Sequence, residues 1–234
     1  MNAGRVILVR HGQASFGSKN YDRLSPVGVR QSQLLGQWWA RYGQPPGTVV
    51  CGTLERHRET ARACLEAWGL ASLPLQEDAA LNEFDHHDVL TRYAPNLADP
   101  EELANLLAGR VDAHRVFQRL FADAVTAWIN DEQTGLYKES WQAFNARCAD
   151  VLIRIANRCD ADGSVIVFTS GGPIGSALQS ALAIPDSKVL DIYWAIRNAS
   201  ITTLESRRGR LTASAFNVVS HLEAVNDASL ITYR

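Results

Sequence analysis

The sequence predicts an α/β protein with a mainly parallel sheet covered by helices on both faces. Two observations carry this. Short apolar, β-branched runs alternate with longer amphipathic segments along the 234 residues, and strands alternating with helices need crossover connections that produce parallel pairing. Three chemically loaded segments, Arg10-His11-Gly12, Thr53 to Arg56 and Thr169 to Gly172, each follow a predicted strand directly. In such folds ligands gather beyond the carboxyl ends of the strands.

The elements follow from local patterns. Val6-Ile7-Leu8-Val9 is a buried strand ending in a polar, glycine-containing turn. Ser25-Pro26 supplies an N-cap and a proline for the first helical turn, and Val29, Leu34, Leu35, Trp38 and Trp39 form one apolar face behind it. Pro45-Pro46-Gly47 breaks that helix before a second strand, Thr48 to Cys51. A helix from about Glu55 to Trp68 and a short strand from Leu73 to Gln76 come next. The pattern from Glu77 to Leu97 is irregular. Asp99-Pro100-Glu101-Glu102 reads as a helix start with an acidic first turn, opening a mostly helical stretch to about Asn130. A helix over about Glu139 to Arg158, a strand Val165 to Phe168, a helix from Ser170-Gly171-Gly172-Pro173 to Leu182, and strands near Ser200 to Glu205 and Leu211 to Val218 complete the order. No repeat, low-complexity tract or linker interrupts it, so the expectation is a single domain over residues 1–234 with a helical insertion at about 98–135.

Bulk properties exclude several classes. The hydrophobic fraction of 46%, the charged fraction of 21% and a net charge of −2 are ordinary for a globular protein. They give no general electrostatic grip on nucleic acid or an anionic membrane. The N-terminal apolar run is too short for a signal-peptide core, and no stretch approaches the ~18 apolar residues of a membrane span. A cytoplasmic protein without a membrane partner is expected. Cys51, Cys64, Cys148 and Cys159 form no C-x-x-C pair and no metal-knuckle spacing, so they read as free thiols.

Arg10-His11-Gly12 has the parts of an anion site. A strand-end histidine can present one imidazole nitrogen while a backbone carbonyl holds the other and fixes the tautomer. Arginine brings planar, permanently charged donors, and glycine lets backbone N–H groups come close. Taken alone, the tripeptide reads more readily as a strand-end histidine in a turn.

The motifs LVRHGQAS, LSPVGVRQSQLLG, LERHRETA, LNEFD, SGGPIG and NVVSHL occur together and in this order. In these the chain resembles the histidine phosphatase (phosphoglycerate-mutase-like) superfamily over nearly its whole length. The resemblance implies a three-layer α/β/α sandwich around a mixed, mainly parallel sheet. It also implies a phosphohistidine mechanism with no metal and no cofactor. By this match His11 is the nucleophile, Arg10 and Arg56 bind the phosphoryl group, and Glu83 is the acid/base serving the leaving oxygen. Such an acid must hold a proton near working pH, so a raised Glu83 pKa is expected.

One position departs from the resemblance. The superfamily usually carries a second histidine before the Gly-Gly turn, where Phe168-Thr169-Ser170-Gly171-Gly172 here has Ser170. Ser170 would donate a hydrogen bond without positive charge, and Gly171 would offer a backbone N–H at a helix start. His57, next to Arg56, and His86 and His87, shortly after Glu83, are candidates for the missing imidazole or for facing the substrate. Adjacent histidines point apart, which argues against a metal at His86-His87. His221, in the late motif, reads as structural.

The leading functional expectation is a metal-independent phosphomonoesterase acting on a small phosphorylated substrate, with inorganic phosphate as product. Two alternatives stand beside it: a phosphate-binding or interaction protein with much reduced catalysis, favoured by Ser170, and a phosphoglycerate mutase. The long tryptophan- and asparagine-bearing segment of such mutases is not evident between Gly12 and Leu24.

Overall fold

The fold is that of a computed structural model describing residues 4–15, 22–99, 102, 108, 113–131, 135–158, 163–207 and 210–233. The chain divides into two compact units, one of Met1–Glu83 with Cys148–Arg234 and one of Phe84–Arg147. The described elements, in order, are β1 (Gly4–Arg10), α1 (Pro26–Tyr42), β2 (Thr48–Cys51), α2 (Glu55–Trp68), β3 (Leu75–Glu77), α3 (His86–Tyr93), α4 (Ala113–Ile129), α5 (Trp141–Asn157), β4 (Ser164–Thr169), α6 (Gly171–Leu182), α7 (Asp186–Ala195), β5 (Ile201–Arg207), β6 (Arg210–Val218) and α8 (Ser220–Glu223). The division at 147/148 falls within α5.

The first unit holds a mixed six-stranded sheet of order β3-β2-β4-β1-β5-β6. β1, β2, β3 and β4 run parallel to one another, whereas β5 joins β1 antiparallel and β6 pairs antiparallel with β5 at the edge. The register sets Arg10 beside Thr169 and Cys51 beside Phe168, so β1, β4 and β2 end at one edge of the sheet.

Period-two alternation divides the strand residues between two cores. Val6, Leu8, Val50, Val165 and Val167 bury one face against Val151, Leu152 and Ile155 of α5 and Ile174 and Leu178 of α6. Val9, Val49, Cys51, Ile166 and Phe168 bury the other against Leu35 and Trp39 of α1 and Ala61, Cys64 and Leu65 of α2. Helix on sheet on helix is the three-layer arrangement expected of these motifs.

Helix ends follow the local chemistry. The Ser25 hydroxyl accepts from the Gly28 N–H and Pro26 occupies the first turn of α1. Gly69, at φ 80°, closes α2 in the left-handed conformation that glycine adopts without a Cβ penalty. Two helices carry little local signal. α7 begins after Pro185 without a side-chain cap and is rich in β-branched and aromatic residues, so neither capping nor periodicity marks it. α3 is eight residues long, too short for a clear helical period, although Asp85 caps it by accepting from the Asp88 N–H.

The second unit has an aromatic core in which Phe84, Trp128, Trp141 and Phe144 pack ring against ring. The Trp128 indole N–H is satisfied by the Glu139 carbonyl at 2.8 Å. Buried Asp88 accepts from the Lys138 backbone N–H at 2.8 Å. Most of the helix expected to start at Asp99-Pro100-Glu101-Glu102, up to residue 112, lies outside the described residues. Among the described helices none is long and apolar enough to cross a membrane. Cys51, Cys64 and Cys148 are buried thiols in no disulfide among the described residues, while Cys159 lies outside them.

Candidate functional site

His11 is placed by backbone on two sides. Its N–H donates to the Thr169 carbonyl at 2.8 Å, continuing the β1–β4 ladder one residue past the strand. Its carbonyl accepts from the Ala199 N–H at 3.2 Å and from the Asn198 side-chain amide at 3.1 Å. The ring Nδ1 lies 2.7 Å from the Gly12 carbonyl. A carbonyl only accepts, so Nδ1 carries the proton and Nε2 keeps its lone pair.

Gly12 is required by close approach. A Cβ there would lie 2.4 Å from the Gly28 carbonyl oxygen, inside any permissible contact. The Gly12 N–H donates to the Thr60 hydroxyl at 3.0 Å, and that hydroxyl donates to the Arg56 carbonyl at 2.6 Å. The turn after β1 is thereby tied to the first turns of α2.

The charges converge on His11. Burial, followed by the charges of Arg56 and Arg10 and by the neighbouring His57, holds its pKa well below the ordinary histidine value, against the opposing bond to Gly12. The ring is therefore neutral at neutral pH. Arg10 is buried, donates through a terminal guanidinium nitrogen to the Ile196 carbonyl, and has its Nε 3.7 Å from where a Gly171 Cβ would stand. Arg56 is buried at the start of α2 and donates to Asp22 at 2.6 Å. The other Asp22 oxygen accepts from the Glu55 N–H at 2.7 Å, so Asp22 fixes both the helix start and the guanidinium.

Ser170 is the N-cap residue of α6 and is fully buried. Its hydroxyl makes no cap bond and lies 2.7 Å from His57 Nε2. The His57 ring is centred 5.8 Å from that of His11. Glu83 comes to the same helix start, its Oε2 accepting from the Gly172 N–H at 3.0 Å. The loop before it is pinned twice. Asn82 exchanges bonds of 2.7 Å with the Thr53 backbone and hydroxyl, and the Thr169 hydroxyl donates to the Leu81 carbonyl at 2.6 Å.

His11, Arg10, Arg56, Ser170, Gly171 and Glu83 thus all stand on strand ends, turns or first helical turns at the carboxyl edge of β1, β2 and β4. His86 and His87 belong to the second unit, where the His86 ring meets the rings of Phe84 and Phe121 edge-on at 4.4 and 5.2 Å. No group of three or more His, Cys, Asp or Glu side chains poised for a metal ion occurs among the described residues. His221 is buried beside the apolar cluster of Leu34, Val219, Leu222 and Leu230.

Sequence reasoning passed over Asp22, Thr60, Asn82 and Asn198. Each holds a site residue, or the loop that carries one, through one or two long-range hydrogen bonds. Polar residues in turns carry no mark that distinguishes this task from solvation. Thr60 sits four residues after Arg56, the one spacing that hinted at a shared helix face.

A family model for the histidine phosphatase superfamily (branch 1) matches residues 6–114 and 100–219. The chain belongs to this superfamily. Among other histidine phosphatase superfamily proteins, it is 32% identical over 93 residues to the 2,3-bisphosphoglycerate-dependent phosphoglycerate mutase of Rhizobium meliloti (strain 1021) and 34% to that of Chelativorans sp. (strain BNC1). The matched stretch is 37% of this chain and 44% and 45% of those mutases, less than half their length.

Solved structures share the superfamily fold over nearly the full chain. Phosphoglycerate mutase from Bacillus anthracis superposes with a TM-score of 0.67 at 19% identity, covering 97% of this chain and 98% of its own. A mycobacterial glucosyl-3-phosphoglycerate phosphatase gives 0.62 at 20%, covering 92% and 98%. Phosphoserine phosphatase from Entamoeba histolytica, in complex with 3-phosphoglyceric acid, gives 0.61 at 16%, covering 94% and 99%. At such identities the likeness is one of fold. Members of the superfamily are phosphatases or mutases, and phosphorylated small molecules are their typical substrates.

Proposed function

We propose that this histidine phosphatase superfamily member is a metal-independent phosphomonoesterase that works through a phosphohistidine on a small phosphorylated substrate. The observation that carries the reading is the state of His11: neutral, with the proton on Nδ1 and a free Nε2 lone pair, and within the field of two buried guanidinium groups. Nε2 attacks phosphorus in line while Arg10 and Arg56 compensate charge on the equatorial oxygens, as phosphoryl transfer requires. As the N–P bond forms, the Nδ1–H bond to Gly12 supports the positive charge on the ring. Glu83 protonates the leaving oxygen, and its anchor on the Gly172 N–H holds it at the helix start. Water then attacks the phosphohistidine, the carboxylate takes its proton, and phosphate leaves.

Motif order puts Ser170 where superfamily members carry a second histidine. A hydroxyl and the Gly171 N–H then serve as neutral donors in a site whose fixed positive charge comes from the arginines. No metal or cofactor enters this mechanism.

The test is aryl-phosphate hydrolysis with EDTA present. His11→Ala should lower kcat by at least about 10³-fold, as removal of a nucleophile does. Hydrolysis that survives the substitution would sink the reading. The mutase relatives favour a second reading, and assaying phosphoglycerate isomerisation beside phosphate release separates the two.

A further inference from the structure

His57 is a fully buried imidazole on α2 whose ring faces the same site as His11. Ser170, also fully buried, has its hydroxyl 2.7 Å from His57 Nε2 and makes no cap bond to the first turn of α6, the usual task of an N-cap serine. The ring also has a fitted cradle. A Cβ at position 52 would stand 2.2 Å from His57 Nδ1, so glycine there is what lets the imidazole in. Among the described residues Nδ1 has no hydrogen-bond partner.

This pattern fixes the direction of the hydrogen bond. A proton on Nδ1 would bury an unsatisfied N–H, whereas a proton on Nε2 leaves only a lone pair unmatched, the lesser cost. Burial and then Arg56 and Arg58 hold the His57 pKa well below the ordinary value, so the ring is neutral and carries one proton. With Nε2–H donating, the Ser170 oxygen accepts, and its own proton is directed elsewhere.

We propose that His57 is a positioning residue for Ser170: its Nε2–H holds the serine oxygen away from the helix start and turns the hydroxyl proton toward the phosphoryl site beside His11. The proposal rests on the phosphatase reading above and deepens it. Ser170 acts as a preorganised neutral donor, which needs no reorientation as charge develops on the phosphoryl oxygens. Without His57, the hydroxyl turns back to cap α6.

A double-mutant cycle tests it, with aryl-phosphate kcat and KM as the readout. Ser170→Ala and His57→Leu should each lower kcat by about 10²-fold, with KM moving far less. The double variant should be no worse than either single, within about threefold. His57→Gln, whose amide N–H reaches the place of Nε2, should recover about tenfold or more of the loss. Losses that multiply in the double variant, or glutamine no better than leucine, overturn the proposal. If His57→Leu does not fold, His57→Asn, whose amide stops short of Ser170, takes its place in the cycle, and the same two outcomes decide.

Failure of the enzyme reading looks different. A wild type that hydrolyses nothing, or hydrolysis that survives His11→Ala, rejects that reading alone. The cycle is then read as affinity for inorganic phosphate. Losses shared by both singles and not deepened in the double sustain the pair, and any other pattern overturns it.

Discussion

At the residue scale, the site depends on positions where one atom more or less changes the chemistry. Gly52 is the clearest. A methyl group there would overlap the fully buried His57 ring at Nδ1 and come within 2.7 Å of Asn82 Oδ1. Gly52→Ala should therefore lower kcat by about tenfold or more through His57 displacement, as misplacement of a buried partner does. Unchanged kcat with an unchanged melting temperature would show that the cradle is not needed. The nucleophile itself is legible from Arg10-His11-Gly12, because a strand end followed by glycine is a local pattern. The Asp22 clasp on Arg56 is not legible. It joins two turns 34 positions apart, and nothing around Asp22 distinguishes it from a solvated aspartate.

At the element scale, glycines also set how closely helices pack. Gly36 lies in the middle of α1, where it weakens the helix by about 1 kcal/mol relative to alanine. It is there because α1 and α2 cross at that point: a Cβ would stand 2.1 Å from the Cys64 carbonyl and 2.9 Å from Ala67 Cβ. Gly36→Ala should gain helix propensity yet lose net stability by about 1–3 kcal/mol, since backbone cannot yield as a flexible side chain does. Chemical denaturation checks this, and a variant as stable as wild type would refute the close crossing. Since α2 carries Arg56, His57 and Thr60, the same substitution should also reduce activity. The sequence marks α1 and α2 well, through caps, proline and period. It marks α7 poorly, because α7 is held by packing of Ile192 onto the core shared by α6 and the sheet and not by propensity or capping.

At the scale of the whole molecule, three buried histidines couple folding to acid. His11, His57 and His221 all have pKa values lowered by burial, His221 to about 4. Each is neutral when folded and titrates near 6.5 when unfolded, so below that pH the unfolded chain binds more protons. Stability present above about pH 6.5 is lost as the pH falls toward the folded pKa. For His221 the window runs from about 6.5 to 4 and the loss comes to about 3 kcal/mol at its foot. The melting temperature should fall steeply across that range, and His221→Leu should flatten part of the slope. A profile identical in wild type and variant would remove His221 from the account.

What the sequence determined by itself is everything carried by local pattern: the strand runs, the capped helices, the order of motifs and the convergence of three strand-end turns. Period-two alternation is enough to assign strand residues to the two faces of the sheet. What only the tertiary structure decided is which side chains hold the site's groups in place. Asp22 on Arg56, Thr60 on Gly12, Asn82 on Thr53 and His57 on Ser170 are held by one or two hydrogen bonds each, between segments far apart in the chain. Periodicity records burial, which repeats along an element, whereas a lone directional bond leaves no repeat and exists only once the sheet has brought its partners together.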